Sequence, residues 1–522
     1  MMRIQMVVTD QPVKDPITQC YVVFVEQDIA YDSIRETVTI LFPTVSHVLF
    51  PGSTDFPLLS RMMADRDFIA RREELLMVPT NTEHGVKYLV LVGLGAKQDG
   101  VINVENYRRA VGAAIHEANH WHVLSSLALL LPDANLFACS PEYLAEQTSL
   151  IASMAYYQFD EFITDERRKQ TSELCLTIAV HGHTIMPMRE GCDRGQLIAR
   201  GVNEARYWVD LPPDHLTPVQ LAEKAKEIAQ NHGFSITTFN ESEVNQMGMG
   251  GLGAVARGSD RDCKFVVLEY KTKQKNAPTI GFVGKGITYD SGGLSIKSTH
   301  GPGGMERMKE DMAGAAAVLG AMDSLGSLQP PVNIIALLPL AENLPSGKAI
   351  KPGDIVRFYN GKTAEIANTD AEGRLILADA LAYAVKHYQL DALIDIATLT
   401  GAIARALGPF FTGLLSKHDS LAKRVELAAT RSGDRVWRLP LDDDYKGAIK
   451  CKIADIKNVG SPRYLAGAIT AACFLENFVG TVPWVHLDIG GTAFDVPAIN
   501  YFGSGATGVG VRLLIDLACN WV

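Results

Sequence analysis

Along most of its length the chain alternates short apolar runs with segments whose apolar residues recur at helical spacing. In the first part, His47 to Pro51, Tyr88 to Val92, Ser125 to Leu131 and Leu174 to His181 have the length and apolar content of strands. Val104 to His120 has the period of a helix between two of them. In the second part, Thr279 to Gly284, Val332 to Leu338, Leu393 to Ala397 and Trp484 to Ile489 are short continuous apolar runs suited to buried strands. Ala313 to Leu325 and Leu375 to His387 suit helices packed on a sheet. Helical spacing also returns from Gln196 to Trp208, where Leu211-Pro212-Pro213 stops it.

This alternation predicts an α/β protein of two domains. A smaller N-terminal α/β domain is expected over residues 1–180, serving assembly or access. A linker helix is expected over 181–210 and a C-terminal α/β catalytic domain with a central mixed sheet over 211–522. No repeat period is visible. Several predicted strands of the second part run straight into polar, glycine-containing loops: Lys285 to Lys297, Asn368 to Arg374 and Thr398 to Gly401. Open α/β sheets bind ligands outside the carboxyl ends of their strands, so function is expected there.

Composition narrows the classes. A chain of 522 residues is too long for one ordinary core, and 47% hydrophobic with 21% charged residues is the balance of a folded protein. The formal net charge of -10 argues against non-specific binding to nucleic acid or anionic lipid. None of the eight cysteines forms a CxxC pair, so they read as reduced core residues. Met1 to Val13 holds no signal-peptide run, and the most apolar stretch, Val123 to Leu131, is too short to span a bilayer. A cytoplasmic location is expected.

Charge concentrates where a buried sheet edge normally avoids it. Gly284 to Lys297, Met308 to Met312 and Asn368 to Leu375 together carry three aspartates, two glutamates, three lysines and an arginine. Carboxylate oxygens suit Mg, Mn or Zn, and several of them can bridge two ions that polarise a carbonyl and activate water. Salt bridges on surface loops would read the same way on spacing alone.

The run Asn368-Thr369-Asp370-Ala371-Glu372-Gly373-Arg374-Leu375 resembles the signature of the leucyl (cytosol) aminopeptidase family. The resemblance extends through Gly284 to Gly293, Met308 to Ala316, Ala397 to Ala402, Lys452 to Asn458, Ala466 to Ala472 and His486 to Ile489. It implies a metal-dependent aminopeptidase that removes the N-terminal residue from peptides with a free N-terminus, using two divalent ions per subunit. Mn or Zn is expected, with Mg or Co as alternatives. Asp290 and Glu372 resemble carboxylates that bridge both ions, Asp370 a ligand of the more exchangeable one, and Lys285 and Asp311 ligands of the tighter one. Lys297 resembles the lysine that polarises the scissile carbonyl, and Arg374 the arginine that holds a bicarbonate general base. Met308, Thr398, Leu399 and Gly401 match the substrate side-chain pocket. The resemblance also implies a homohexamer, a dimer of trimers.

Two departures bear on specificity. Ser298 to Arg307 is longer than the family's usual connection and contains His300, a loop histidine expected to be solvated. Gly490 stands where the family carries alanine, which predicts a roomier pocket.

Other motifs compete for the function. His116-Glu117-Ala118-Asn119-His120 is HExxH and would make a zincin if both histidines shared a helix face, but no third-histidine extension follows. After Gly93-Leu94-Gly95, Gln98 stands at the third-glycine position of a dinucleotide site. Gly284-Lys285 lacks the rest of a phosphate-binding loop, and Gly248 to Gly253 reads as a tight turn or helix start. A catalytically weak scaffold with a binding role is the remaining alternative. Such a descendant would be expected to lose a metal ligand or Lys297, and all are kept.

Overall fold

The computed structural model describes residues 3–521, apart from 12, 14–17, 28–33, 35–57, 83–84, 121–125, 166–172, 181–184 and 302. The expected strand at His47 to Pro51 lies outside the described residues. Contacts divide the chain into two compact units. One is Met1–Ala199 with Pro497–Gly503, the other Arg200–Val496 with Ser504–Val522. The helix Ile185–Asp210 contains the boundary, and it ends immediately before Leu211-Pro212, where proline disfavours the α conformation of the residue before it.

In the first unit, strands β1 (Arg3–Thr9), β2 (Cys20–Val25), β3 (Leu75–Thr82), β4 (Gly85–Gly93), β5 (Ser126–Leu130) and β6 (Glu173–Ala179) form one sheet. Its order is β1-β6-β5-β2-β4-β3, parallel except for the β3–β4 pair. Strands β2 and β5 are buried along their whole length, which explains their unbroken apolar sequence. In β6 the pleat alternates, with Leu174 and Leu176 inward and Cys175 exposed. Cys175 therefore corrects the expectation that all the cysteines are core residues, although Cys20, Cys192, Cys263 and Cys473 are buried.

The second unit is built on a nine-stranded mixed sheet. Its strands are β7 (Ser235–Phe239), β8 (Lys264–Tyr270), β9 (Thr279–Gly284), β10 (Gly286–Asp290), β11 (Asn333–Asn343), β14 (Ala392–Ala397), β15 (Thr412–Leu415), β16 (Val436–Leu439) and β18 (Trp484–Asp488). A small separate sheet holds β12 (Ile355–Arg357), β13 (Thr363–Glu365) and β17 (Ile456–Lys457). The large sheet runs β16-β15-β18-β14-β9-β11-β8-β7, with β10 added on β11. Strands β18, β14, β9 and β11 are mutually parallel, and antiparallel pairs flank them on both sides.

Parallel strands need both faces covered, and every residue of β14 and β18 is buried. Helix Ala313–Leu328 lies over β9 and β14 beside Val511–Cys519 and Pro218–His232. Helix Gly373–His387 packs on β9 and β11 beside Gly250–Ala256 and Gly467–Glu476. The glycine cluster at 248–253 resolves into a helix cap at Gly248 (φ 79°) followed by the helix Gly250–Ala256. This arrangement brings the carboxyl ends of β9, β10, β11, β14 and β18 to one edge of the sheet. No helix among the described residues is long and apolar enough to cross a membrane.

Candidate active site

Lys285 falls between β9 and β10, where its N–H donates to Ile396 O and its own carbonyl accepts from Ala315 N. The side chain is buried. Its Nζ lies 2.6 Å from Asp311 Oδ1, 3.0 Å from Glu372 Oε1 and 2.8 Å from the carbonyl oxygen of Thr398. Asp290 closes β10, paired in register with Asn343 at the end of β11. Asn343 Nδ2 donates to Asp290 Oδ1 at 2.8 Å and to the Thr369 carbonyl at 3.0 Å, so one amide joins the two acidic segments. Lys297 Nζ stands 2.9 Å from Asp290 Oδ2 and 2.6 Å from Asp370 Oδ1.

The structure thus brings Lys285, Asp290, Lys297, Asp311, Asp370 and Glu372 into one cluster. One ligand atom from each of Asp290, Asp370 and Glu372 lies within 4.8 Å of the others. The turn that delivers Asp370 and Glu372 is shaped by Thr369. Its hydroxyl donates to Gly292 O at 2.6 Å and accepts from Ser295 N at 2.8 Å. Gly292 (φ 86°) and Gly293 (φ 62°) take left-handed conformations there, and a Cβ on Gly292 would meet Asp370 Oδ1 at 2.9 Å. Gly373 serves the lysine rather than the backbone, because a Cβ on it would lie 2.7 Å from Lys285 Nζ.

The electrostatics are those of crowded acids against two ammonium groups. Burial alone would push Lys285 and Lys297 down. The neighbouring carboxylates, led by Asp311 for Lys285 and Asp290 for Lys297, outweigh it and hold both amines above their ordinary range. Burial and the charge of Glu372 push Asp290 up to about 7 against the two lysines. Burial likewise pushes Asp311 well up. Glu372 goes the other way, to about 2, because Lys285 and Lys297 overcome the burial that would raise it. Four carboxyls facing two ammonium groups do not all ionise together, and a site with surplus negative charge is suited to cations. Asp311 Oδ2 and Glu372 Oε2 are buried with no hydrogen-bond partner. Unsatisfied buried carboxylate oxygens beside three converging acidic ligands fit divalent ions.

Arg374 lies in the first turn of helix Gly373–His387, buried, with Nη1 donating to Asn458 O at 2.7 Å. Burial lowers it to about 10 against the charges of Glu372 and Asp488. Its Nε is buried with no partner, a free donor suited to a small anion. Thr398 Oγ1 donates to Asp311 Oδ1 at 2.8 Å, and Leu399 N donates to Asp488 Oδ1 at 3.1 Å. Gly401 opens the short helix Gly401–Leu407 behind the Thr400 cap. Met308 is buried in the 3-10 turn Met305–Met312 that also carries Asp311.

Sequence reasoning assigned no role to three residues that hold this arrangement together. They are Asn343, Asp488, and Asn458, whose Oδ1 accepts from Ala367 N at 2.8 Å and whose Nδ2 donates to Asn368 O at 2.6 Å. Asn458 and Asp488 stood in matched motifs, but only the packed turns show what they bond. His300 stands apart, exposed and paired with Glu306 at 2.7 Å. His116 and Glu117 lie on helix Val104–His120, and the side chain of His120 lies outside the described residues. At Gly490, where a roomier pocket was expected, a Cβ would lie 2.7 Å from Thr400 O, so the Thr400 carbonyl sits close against this position.

Comparison with known proteins adds a family to this geometry. The sequence profile of the cytosol aminopeptidase family's catalytic domain matches residues 203–515, and that of its N-terminal domain matches residues 54–166. A probable cytosol aminopeptidase of Roseiflexus castenholzii is 40% identical over 467 residues, covering 89% of this chain and 93% of the relative. One from Geotalea uraniireducens is 42% identical over 463 residues, covering 88% and 90%. Among solved structures, a mutant of tomato leucine aminopeptidase superposes with a TM-score of 0.85 at 31% identity, covering 99% of this chain and 97% of that one. The bottromycin maturation enzyme BotP in complex with Mn gives a TM-score of 0.81 at 31% identity, covering 97% and 99%.

Proposed function

The chain belongs to the cytosol aminopeptidase family, and from that premise we propose that Lys285, Asp290, Asp311, Asp370 and Glu372 hold two divalent ions for N-terminal peptide-bond hydrolysis. The chain is a metal-dependent aminopeptidase, a metallo-exopeptidase acting on peptides. The observation that carries the ligand assignment is the approach of Asp290, Asp370 and Glu372 ligand atoms to within 4.8 Å of one another in a buried site.

Bound there, divalent ions supply Lewis acidity toward the scissile carbonyl and toward water. The chain's own groups do the rest. Glu372 pairs with Lys285 and Asp290 with Lys297, and ligand atoms of these two carboxylates lie within 4.8 Å of one another, so both would be suited to serving as bridging ligands. Lys285 would serve as a ligand only with its amine neutral, so it would give up its proton on holding an ion. Lys297 keeps its proton at Nζ and donates to the carbonyl oxygen as charge develops on it. Arg374, through the free Nε, would hold a bicarbonate, which would supply a general base. Met308, Thr398, Leu399 and Gly401 line the pocket for the N-terminal side chain.

Mn or Zn is the proposed native metal, and the Mn complex of the BotP neighbour supports Mn. A homohexamer in the cytoplasm is part of the same reading. Metal analysis and turnover of leucyl-p-nitroanilide test the assignment together. Wild-type protein is expected to bind about two ions per chain, and Asp370→Ala to bind fewer and lose activity by about 100-fold or more. Full metal content and full activity in Asp370→Ala would overturn it.

A further inference from the structure

Strand β18 ends on Asp488, a fully buried carboxylate outside the ligand set. Its Oδ1 accepts from the N–H groups of Leu399 at 3.1 Å, Thr400 at 3.3 Å and Gly490 at 3.1 Å. Its Oδ2 accepts from the Thr400 hydroxyl at 2.7 Å. One side chain thereby satisfies backbone donors that the turn after β14 would otherwise leave unpaired in the interior. The same turn is tied at Thr398 to the ligand set, through Asp311 Oδ1 at 2.8 Å and Lys285 Nζ at 2.8 Å. Thr398 is thus held by the metal-ligand residues, and Leu399 with Thr400 by Asp488.

Gly490 fixes how close the two segments come. A Cβ there would lie 2.7 Å from the Thr400 carbonyl oxygen, a backbone atom that moves only if the turn moves with it. Glycine therefore lets the turn come close against the end of β18.

We propose that Asp488 and Gly490 are positioning residues that set side-chain preference by fixing the Thr398–Gly401 turn relative to the ligand set. The inference rests on the aminopeptidase reading. Because Thr398 is tethered separately to Asp311 and Lys285, releasing the Asp488 side moves Leu399 and Gly401 more than it moves the ligands. Substrates that fill the pocket respond more than substrates that do not.

The test compares kcat and KM for leucyl- and alanyl-p-nitroanilide in the full-length, metal-loaded protein. Variants are Gly490→Ala, Asp488→Ala and Asp488→Asn, each with metal content measured. A misplacement on the order of 1 Å at an active site costs on the order of 100-fold. Gly490→Ala and Asp488→Ala are expected to change the leucyl-to-alanyl ratio of kcat/KM by about tenfold or more, with wild-type metal content. Asp488→Asn restores the ratio to within about threefold of wild type, since its Oδ1 still accepts the N–H groups and its Nδ2 donates to Thr400 Oγ1. Thr400→Val, which removes the hydroxyl's bond to Asp488 Oδ2 together with its cap on Ile403 N, leaves Asp488 and Gly490 in place and keeps the test readable if the other variants do not fold, with a shift of about threefold. Equal loss on both substrates, or no loss, in a folded Gly490→Ala or Thr400→Val overturns the proposal. Wild-type protein that cleaves neither substrate with Mn or Zn overturns the aminopeptidase reading itself.

Discussion

Lys285 and Lys297 divide the acidic cluster between them, one paired with Asp311 and Glu372, the other with Asp290 and Asp370. Their differing roles give separable outcomes. If Lys297 is the proposed donor to the developing oxyanion, Lys297→Met lowers kcat by about 100- to 1,000-fold in steady-state assays while metal content persists. Gly373→Ala forces a Cβ into contact with the Lys285 amine, so metal content by elemental analysis is expected to fall along with activity. Every residue of this cluster was legible in the sequence through its resemblance to the cytosol aminopeptidase family, since spacing alone read equally well as salt bridges on surface loops. What the sequence hid was packing between distant segments. Gly373 faces Lys285, and Gly490 faces Thr400, across gaps no linear pattern records.

At the scale of elements, the parallel block of β18, β14, β9 and β11 is bound by buried polar side chains as well as apolar packing. Asp379, in helix Gly373–His387, accepts from Leu252 N at 2.9 Å and Tyr359 N at 2.8 Å. Asp379→Ala strands both donors, and urea unfolding should show a loss of roughly 2–5 kcal/mol. On neighbouring strands His486 Nδ1 lies 2.6 Å from Asp395 Oδ2, with Trp484 Nε1 donating to the same carboxylate at 2.7 Å. Burial alone would lower the His486 pKa, but Asp395 raises it above its ordinary value. A raised histidine pKa stabilises the fold fully below the unfolded value of about 6.5 and less as pH rises through the folded value. The stability difference between wild type and His486→Gln should therefore shrink from pH 6 to pH 9 in denaturation midpoints. The apolar strands were legible as unbroken runs, but β10 was not. Its five residues fall in the segment Lys285 to Lys297 that reads as a loop, and they form a strand only by pairing with the polar end of β11.

For the whole molecule, both units are α/β, and the candidate active-site residues collect at one strand-end edge of the larger sheet. A ligand bound only by the folded state stabilises it by mass action, by about 2.7 kcal/mol at 100 times its Kd. Chelation should therefore lower the melting temperature of wild-type protein, and added Mn or Zn should restore it. The same treatment should shift Asp370→Ala less. Hydrolysis at this cluster, and not at the His116-Glu117 helix, is the proposed chemistry. Turnover of leucyl-p-nitroanilide by metal-loaded Glu372→Ala and Glu117→Ala separates the two sites. Activity is expected to be lost in Glu372→Ala and kept in Glu117→Ala. Activity that survives Glu372→Ala and disappears in Glu117→Ala would contradict it.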